Sequence, residues 1–295
     1  MTIFNLGSIN TDHFYSVPHL PAPGETLAAT GYSIGLGGKG ANQSVAAAQA
    51  GAPVIHIGSV GPDGGTMVAE LRGHGVDCAH VSTVQVPTAH AIINVMPDGE
   101  NAITIFPGAN LEQSLTHLES AISAASDGDC LILQNETNLQ LEAARMADAA
   151  GLFVIYSAAP FSADAVQAVM PYTDLLVMNA VEAKQLTTAI GTDLSQLPVR
   201  HLLITDGARG ATWHDQTSKE ALHVPAFPVT PVDTTGAGDC FIGYAVAGLN
   251  EGMSPEQALR LATAASALQV QRPGTADAIP ARAEVDAFLA EQGAA

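Results

Sequence analysis

Lysine is scarce in this chain of 295 residues: only Lys39, Lys184 and Lys219 occur. Ten Lys and Arg stand against 29 Asp and Glu, for a net charge of -19. A surface this negative repels phosphate backbones and anionic lipid, which argues against nucleic acid and membrane partners. The charge is spread along the chain rather than gathered in a tail, as on a solvated surface. Cysteine is also sparse. Cys78, Cys130 and Cys240 are odd in number and none pairs at C-x-x-C spacing. That excludes a disulfide framework or a zinc knuckle and fits a reducing cytoplasm. Long apolar runs are missing, so no membrane span is expected. The start, "MTIFNLGSIN", has no basic segment, so no signal peptide is expected either.

What is present is apolar residue in short runs, 47% of the chain in all, enough for a full core. The runs are 2–8, 53–60, 129–134, 152–157, 174–179 and 201–205, rich in Ile, Val and Leu. Ala-rich stretches of helical character lie between them, among them "GANQSVAAAQAG", "GTMVAELRGHG", "NLQLEAARMADAAG", "SADAVQAVM" and "AVEAKQLTTAI". This alternation is the βαβ pattern. It predicts a doubly wound, mostly parallel sheet covered on both faces. Two regions break it. Residues 11–34 predict two short strands around a Pro/Gly turn, and residues 88–107 predict a hairpin about "PDGEN". Together they are expected to form one small β lid on a single domain spanning 1–295. The part from 236 onward reads as mostly helical.

The stretch "VDTTGAGDCF" (232–241) places a carboxylate directly behind Gly-Ala-Gly at the mouth of a helix. The first amides of a helix have no internal partners, and glycines let an anion approach them. Gly236, Ala237 and Gly238 therefore suit a phosphate in transfer. Asp239 beside such an anion makes sense as acceptor of the proton from an attacking hydroxyl. A lone Asp near a helix start commonly does no more than complement the dipole; the Thr-Thr-Gly-Ala-Gly run ahead of this one favours the chemical role.

Gly35, Gly37 and Gly40 match G-x-G-x-x-G and raise a dinucleotide-binding, dehydrogenase reading. The next strand, however, ends without the acid that would hold a ribose, and a strand and two lid strands precede the match. It is not a phosphate-binding P-loop either, since Gly40 follows Lys39. In "GSINTDHF", Asn10 and Asp12 follow the first strand, where an open α/β sheet binds ligands, and the pair can hydrogen-bond a polyol. Both are also ordinary turn residues. In "NAVEAKQL", Asn179 closes a strand and Glu182 enters the helix behind it, a place for a carboxylate holding the water shell of Mg²⁺ or for a plain helix cap. "ITDGARGA" (204–211) offers a Gly-bounded loop to a nucleotide, with one positive charge from Arg209. No histidines sit at metal-ligand spacing. Cys240 reads as a small buried apolar residue.

Taken together these segments resemble the ribokinase (PfkB-type) family of carbohydrate kinases nearly end to end. The resemblance is carried by "GSINTDH", "PAPGETL", "GGKGANQSVAAA", "FPGAN", "NAVEAKQL", "ITDGARGA", "DTTGAGDCFIG" and "RPGTADAIP". The Gly-Gly-Lys-Gly-Ala-Asn and Asp-Thr-Thr-Gly-Ala-Gly-Asp runs are highly specific as a pair in this order.

The resemblance implies a three-layer α/β/α fold with a β lid, through which such kinases often form homodimers. It implies Asp239 as catalytic base and Gly236, Ala237 and Gly238 as the anion hole for the γ-phosphate. Asn10, Asp12, Gly38, Lys39, Asn42 and Glu136 fall at sugar-binding positions. Asn179 and Glu182 fall at the motif that organises Mg²⁺ and phosphates. Thr205, Gly207, Ala208, Arg209, Gly210 and Thr263 fall at nucleotide-contacting positions. A monovalent-cation (K⁺) site would use Asp233 and the carbonyls of Thr235, Gln269, Arg272 and Gly274. Two departures stand out: Ala278 replaces a Ser that commonly closes the cation site, and Met178 stands where a Pro is frequent. The implied activity is ATP-dependent phosphorylation of a small sugar, D-ribose at its 5-hydroxyl. The rivals are a family kinase for another sugar or a nucleoside (fructose, tagatose, deoxyribose, adenosine) and a non-catalytic sugar- or nucleotide-binding regulator.

Overall fold

A computed structural model describes residues 1–97 and 100–293. The turn expected at Asp98 and Gly99 lies outside the described residues. In chain order the first strands are β1 (Ile3–Leu6), β2 (Asn10–Ser16), β3 (Gly31–Gly37), β4 (Val54–Val60), β5 (Asp77–Thr83), β6 (Ala89–Val95) and β7 (Asn101–Phe106). The later strands are β8 (Cys130–Gln134), β9 (Phe153–Ser157), β10 (Leu175–Asn179), β11 (His201–Thr205), β12 (Ala211–Asp215) and β13 (Ala221–Val224). Helices α1 (Lys39–Gln49), α2 (Gly65–Gly73), α3 (Leu115–Ile122), α4 (Gln140–Ala149), α5 (Ala163–Val169) and α6 (Ala180–Ile190) alternate with them. Helices α7 (Ala237–Asn250), α8 (Pro255–Gln269) and α9 (Arg282–Gly293) close the chain.

Among the described residues the main sheet runs β13-β12-β11-β10-β9-β8-β1-β4-β5. It is parallel from β11 to β5; β12 and β13 are antiparallel additions at one edge. Its central strands are unbroken apolar runs because both faces are covered. Within them alternate residues still separate: Ile132, Ile155, Val177 and Leu203 face the core under α1, α7 and α8. Leu131, Leu133, Val154, Tyr156 and Leu176 face the core under α3 to α6, and Met178 packs there too. The result is the three-layer α/β/α arrangement that the βαβ pattern predicts.

β5, β12 and β13 do not stand out in the sequence. Their segments, "DCAHVST", "ATWHD" and "ALHV", mix His, Thr and Asp into short runs at the sheet margins. A second sheet, β3-β2-β6-β7, gathers strands from the two regions that break the βαβ rhythm.

Two close approaches fix the geometry around α1. A Cβ on Gly40 would lie 2.4 Å from Gly7 Cα, so glycine at both positions lets the start of α1 press onto the end of β1. A Cβ on Gly243 would lie 2.4 Å from Ala46 Cβ, so α7 crosses α1 at van der Waals contact. That crossing brings the first turn of α1 beside the first turn of α7.

Candidate active site

The site is built where the parallel strands end. Gly236 takes φ 75, a left-handed conformation suited to glycine, and turns the chain into α7 without a side-chain cap. The Ala237 N–H donates to the Thr234 carbonyl at 3.2 Å. The amides of Gly238 and Asp239, next in the first turn, have no helical carbonyl behind them. Asp239 is buried and accepts from Asn42 Nδ2 at 3.2 Å and Gln43 Nε2 at 2.9 Å. Burial pushes its carboxyl above the usual range; Lys39 and the two amide bonds oppose that shift.

Lys39 is the cation common to this end of the molecule. Its amine is raised chiefly by Asp239, against burial, with further contributions from Glu136, Glu182 and Asp12. Glu136 Oε1 lies 3.9 Å from Lys39 Nζ. Glu136 Oε2 accepts from Ser8 Oγ at 2.5 Å and from the Lys39 N–H at 3.0 Å.

Asn10 and Asp12 lie on β2, on the face of the small sheet turned inward, and both are buried. Burial and the charge of Glu136 push the Asp12 carboxyl up to about 7, with Lys39 acting the other way. Gly37 makes room for it, because a Cβ there would sit 2.0 Å from Asp12 Oδ2. Gly38 (φ 93) carries the chain from β3 into α1. Asp12 Oδ1 and Asn42 Oδ1 are both buried without a hydrogen-bond partner. Buried acceptors of this kind are costly unless a ligand or water supplies the donors.

The remaining expected positions fall into three groups. Asn179 and Glu182 form a complete capping box on α6. Asn179 Oδ1 accepts from Val181 N and Glu182 N, each at 2.9 Å, and Glu182 Oε2 accepts from Asn179 N at 2.8 Å. Thr205 ends β11, and Gly207, Ala208 and Arg209 form one 3-10 turn after it, closed by Gly210. Arg209 does not offer a free charge to that loop: its guanidinium is bidentate on Asp206, with both bonds at 2.6 Å. The Thr263 hydroxyl, on α8, donates to the Arg260 carbonyl at 2.9 Å.

Asp233 ties two loops together, accepting from Thr235 N at 2.9 Å and Gly274 N at 3.0 Å. Gln269 Nε2 donates to the Thr235 carbonyl at 3.1 Å, while Gln269 Oε1 is buried without a partner. The Arg272 side chain pairs with Glu284, and its backbone N–H donates to the Gln269 carbonyl at 2.9 Å. Ala278 is buried there and supplies no side-chain oxygen.

The sequence reading missed several residues. Gln43 grips Asp239 and is itself held by Gln134 Nε2 at 2.8 Å. Gln134 also donates to Asn5 Oδ1, and Asn5 Nδ2 donates to Ser44 Oγ and the Gly40 carbonyl, all at 2.8 Å. Ser44 Oγ meets His56 Nδ1 at 2.8 Å, and His56 Nε2 meets the Gly7 carbonyl at 3.1 Å. Burial pushes the His56 imidazole down to about 4, against the pull of the Gly7 carbonyl. It is therefore neutral, donates to Gly7 and accepts from Ser44. This buried chain sets the orientation of Gln43 and hence of Asp239. Asn110 fixes Asn10, donating to Asn10 Oδ1 at 2.8 Å while accepting from Ile9 N at 3.0 Å. Gln43 and Asn110 lie inside runs that carry the family resemblance, which is the signal that could have found them.

Comparison with known proteins bears on this arrangement. A family model described as pfkB family carbohydrate kinase matches residues 2–282. A ribokinase of Haemophilus influenzae is 37% identical, with 98% of this chain and 98% of that protein covered. The crystal structure of ribokinase from Thermotoga maritima aligns at TM-score 0.86 and 32% identity, covering 98% of this chain and 99% of that one. Arabidopsis thaliana ribokinase complexed with ribose and ATP aligns at TM-score 0.85 and 29% identity, covering 98% of each chain.

Proposed function

This chain belongs to the pfkB family of carbohydrate kinases, and on that premise we propose that it transfers the γ-phosphoryl group of ATP to the 5-hydroxyl of D-ribose. The observation that carries the reading is the pair of buried, unpartnered acceptors, Asp12 Oδ1 and Asn42 Oδ1, the second on a side chain that also holds Asp239. Sugar hydroxyls supply the donors these atoms lack. Asn10, Gly38, Lys39 and Glu136 complete the sugar-binding set.

In the proposed step Asp239 accepts the hydroxyl proton as the sugar oxygen attacks the γ-phosphorus. The new O–P bond forms as the bond to the β-phosphate oxygen breaks, and ADP leaves. Burial without full charge compensation raises the proton affinity of Asp239, which suits a general base. The open amides of Gly238 and Asp239, presented by the turn through Gly236 and Ala237, receive the charge on the phosphoryl oxygens.

Four carboxylates, Asp12, Glu136, Glu182 and Asp239, act electrostatically on one lysine, Lys39. A polyphosphate entering so acidic a site needs added positive charge. Glu182, with one oxygen held by the cap of α6, fits Mg²⁺ bound through water, and that ion would neutralise phosphate charge. The oxygen donors around Asp233 and the bare Gln269 Oε1 fit a monovalent cation such as K⁺, with Ala278 leaving one position to water. Thr205, Gly207, Ala208, Gly210 and Thr263 line the nucleotide side, and Arg209 keeps its loop in shape through Asp206.

The chain acts as one domain in this account, with the small sheet as a lid that excludes water. The outer face of that sheet exposes Tyr32, Ile34, Ile92 and Phe106, an apolar patch suited to a second copy in a homodimer. The three free, buried thiols suit a cytoplasmic setting. The test is ADP release from Mg-ATP across ribose, 2-deoxyribose, fructose, tagatose and adenosine, with and without K⁺. Turnover that depends on ribose supports the reading. Turnover on another acceptor alone keeps the kinase and removes ribose. ATP binding with no turnover on any acceptor contradicts the proposed catalysis.

A further inference from the structure

A cavity of about 540 Å³ opens at the opposite end of the main sheet, among the strand starts. Helix α7 joins the two ends. Its first turn holds Asp239, and Val246 and Leu249 near its other end line this cavity. At 1.5 Å per residue the two ends of this helix lie about 20 Å apart. None of the groups assigned above reaches the cavity.

Its lining has the character of a binding site for a flat ring. Phe153, His201 and Trp213 form one wall, with the His201 and Trp213 rings 4.8 Å apart and tilted by 36°. Ile155, Val246 and Leu249 supply apolar contact. His201 Nδ1 is buried without a hydrogen-bond partner; the nearest carboxylate oxygen, Asp215 Oδ2, stands 3.9 Å away. Burial holds the imidazole below its ordinary value, with Asp215 opposing, so the ring is neutral near pH 7. Asp215 Oδ1 is taken by Thr217 N and Ser218 N. Asp174 uses Oδ2 for Val154 N. Each carboxylate thus has a second oxygen for a ligand. Two carboxylates, Asp174 and Asp215, are matched in this lining by Arg200, exposed at its rim, and by the ammonium of Met1.

We propose that this cavity is a second small-molecule site, separate from the kinase centre, for a flat nitrogen heterocycle bearing N–H donors: a nucleobase or nucleoside. The ring lies along Trp213 and His201, and its amino groups meet Asp174, Asp215 and the bare ring nitrogen of His201.

Trp213 is the only tryptophan in the chain, so its emission reports on this wall directly. The probes are adenine and adenosine, titrated into the full chain with saturating ADP present. The expected result is saturable 1:1 binding of adenine or adenosine. Leu249→Phe, which fills the cavity, weakens binding at least tenfold, and Asp174→Asn weakens it severalfold with ribose turnover unchanged. The proposal is overturned if neither adenine nor adenosine gives a saturable change, if ADP abolishes the signal, or if both variants bind like the parent.

Discussion

Helices α6 and α7 both start at the end of the sheet with a carboxylate in the first turn, and they use it in opposite ways. In α6 the acid is spent locally: Asn179 and Glu182 satisfy each other's backbone amides in a capping box. In α7 no side chain caps the helix; Gly236 turns the chain, and Asp239 is gripped from another helix by Asn42 and Gln43. The first start is closed by its own sequence. The second leaves amides open and holds a buried carboxyl that is costly to ionise. A local rule of helix construction is unmet at α7, and the proposed chemistry sits there.

Among variants that keep Asp239, the largest effect is expected where α7 crosses α1. Gly243→Ala places a Cβ 2.4 Å from Ala46 Cβ and 2.6 Å from the Gln43 carbonyl. Such overpacking costs about 1–3 kcal/mol, read by denaturant unfolding, and kcat falls with it because Gln43 and Asn42 move. Unchanged stability would show that the two helices are not in the close contact described. Asn179→Ala removes the cap of α6 and should cost about 1 kcal/mol. If Glu182 also orders the water shell of Mg²⁺, the same variant raises the Mg²⁺ concentration needed for half-maximal rate; a loss of stability alone would confine the motif to capping.

The smallest effect is a pH dependence. Asp12, raised to about 7 in the fold, stays protonated below that while the unfolded chain ionises near the ordinary value of 3.8. Its contribution to stability is therefore complete below that lower value and is lost as pH rises toward 7. The KM for ribose should change across the same upper limit, and Asp12→Asn should flatten that change. A KM profile identical in parent and variant would remove Asp12 from the titration.

The main sheet was legible because its central strands are buried on both faces, so "LFVIYS" and "DLLVMN" are unbroken apolar runs. β5, β12 and β13 were not, because marginal strands carry polar residues that blur the signal. The chain Asn5–Ser44–His56–Gln134 was hidden for a different reason. Each residue is polar inside an apolar stretch, and only the folded register shows that they satisfy one another. The start of α7 at Asp239 was legible from its glycines. The pairing of Arg209 with Asp206, which removes the charge expected of that loop, depends on a side-chain conformation that residue spacing does not fix.

The most direct test of the contrast between the two helix starts is one variant, Asp239→Ala, measured for ribose-dependent turnover and, by calorimetry, for ATP affinity. The account predicts that kcat falls by roughly 10²–10⁴ or more, the scale of a lost general base, while ATP affinity stays within about twofold, since that protein–nucleotide contact lies elsewhere. Equal loss of turnover and ATP binding would mean that Asp239 supports the structure of α7 rather than the transfer.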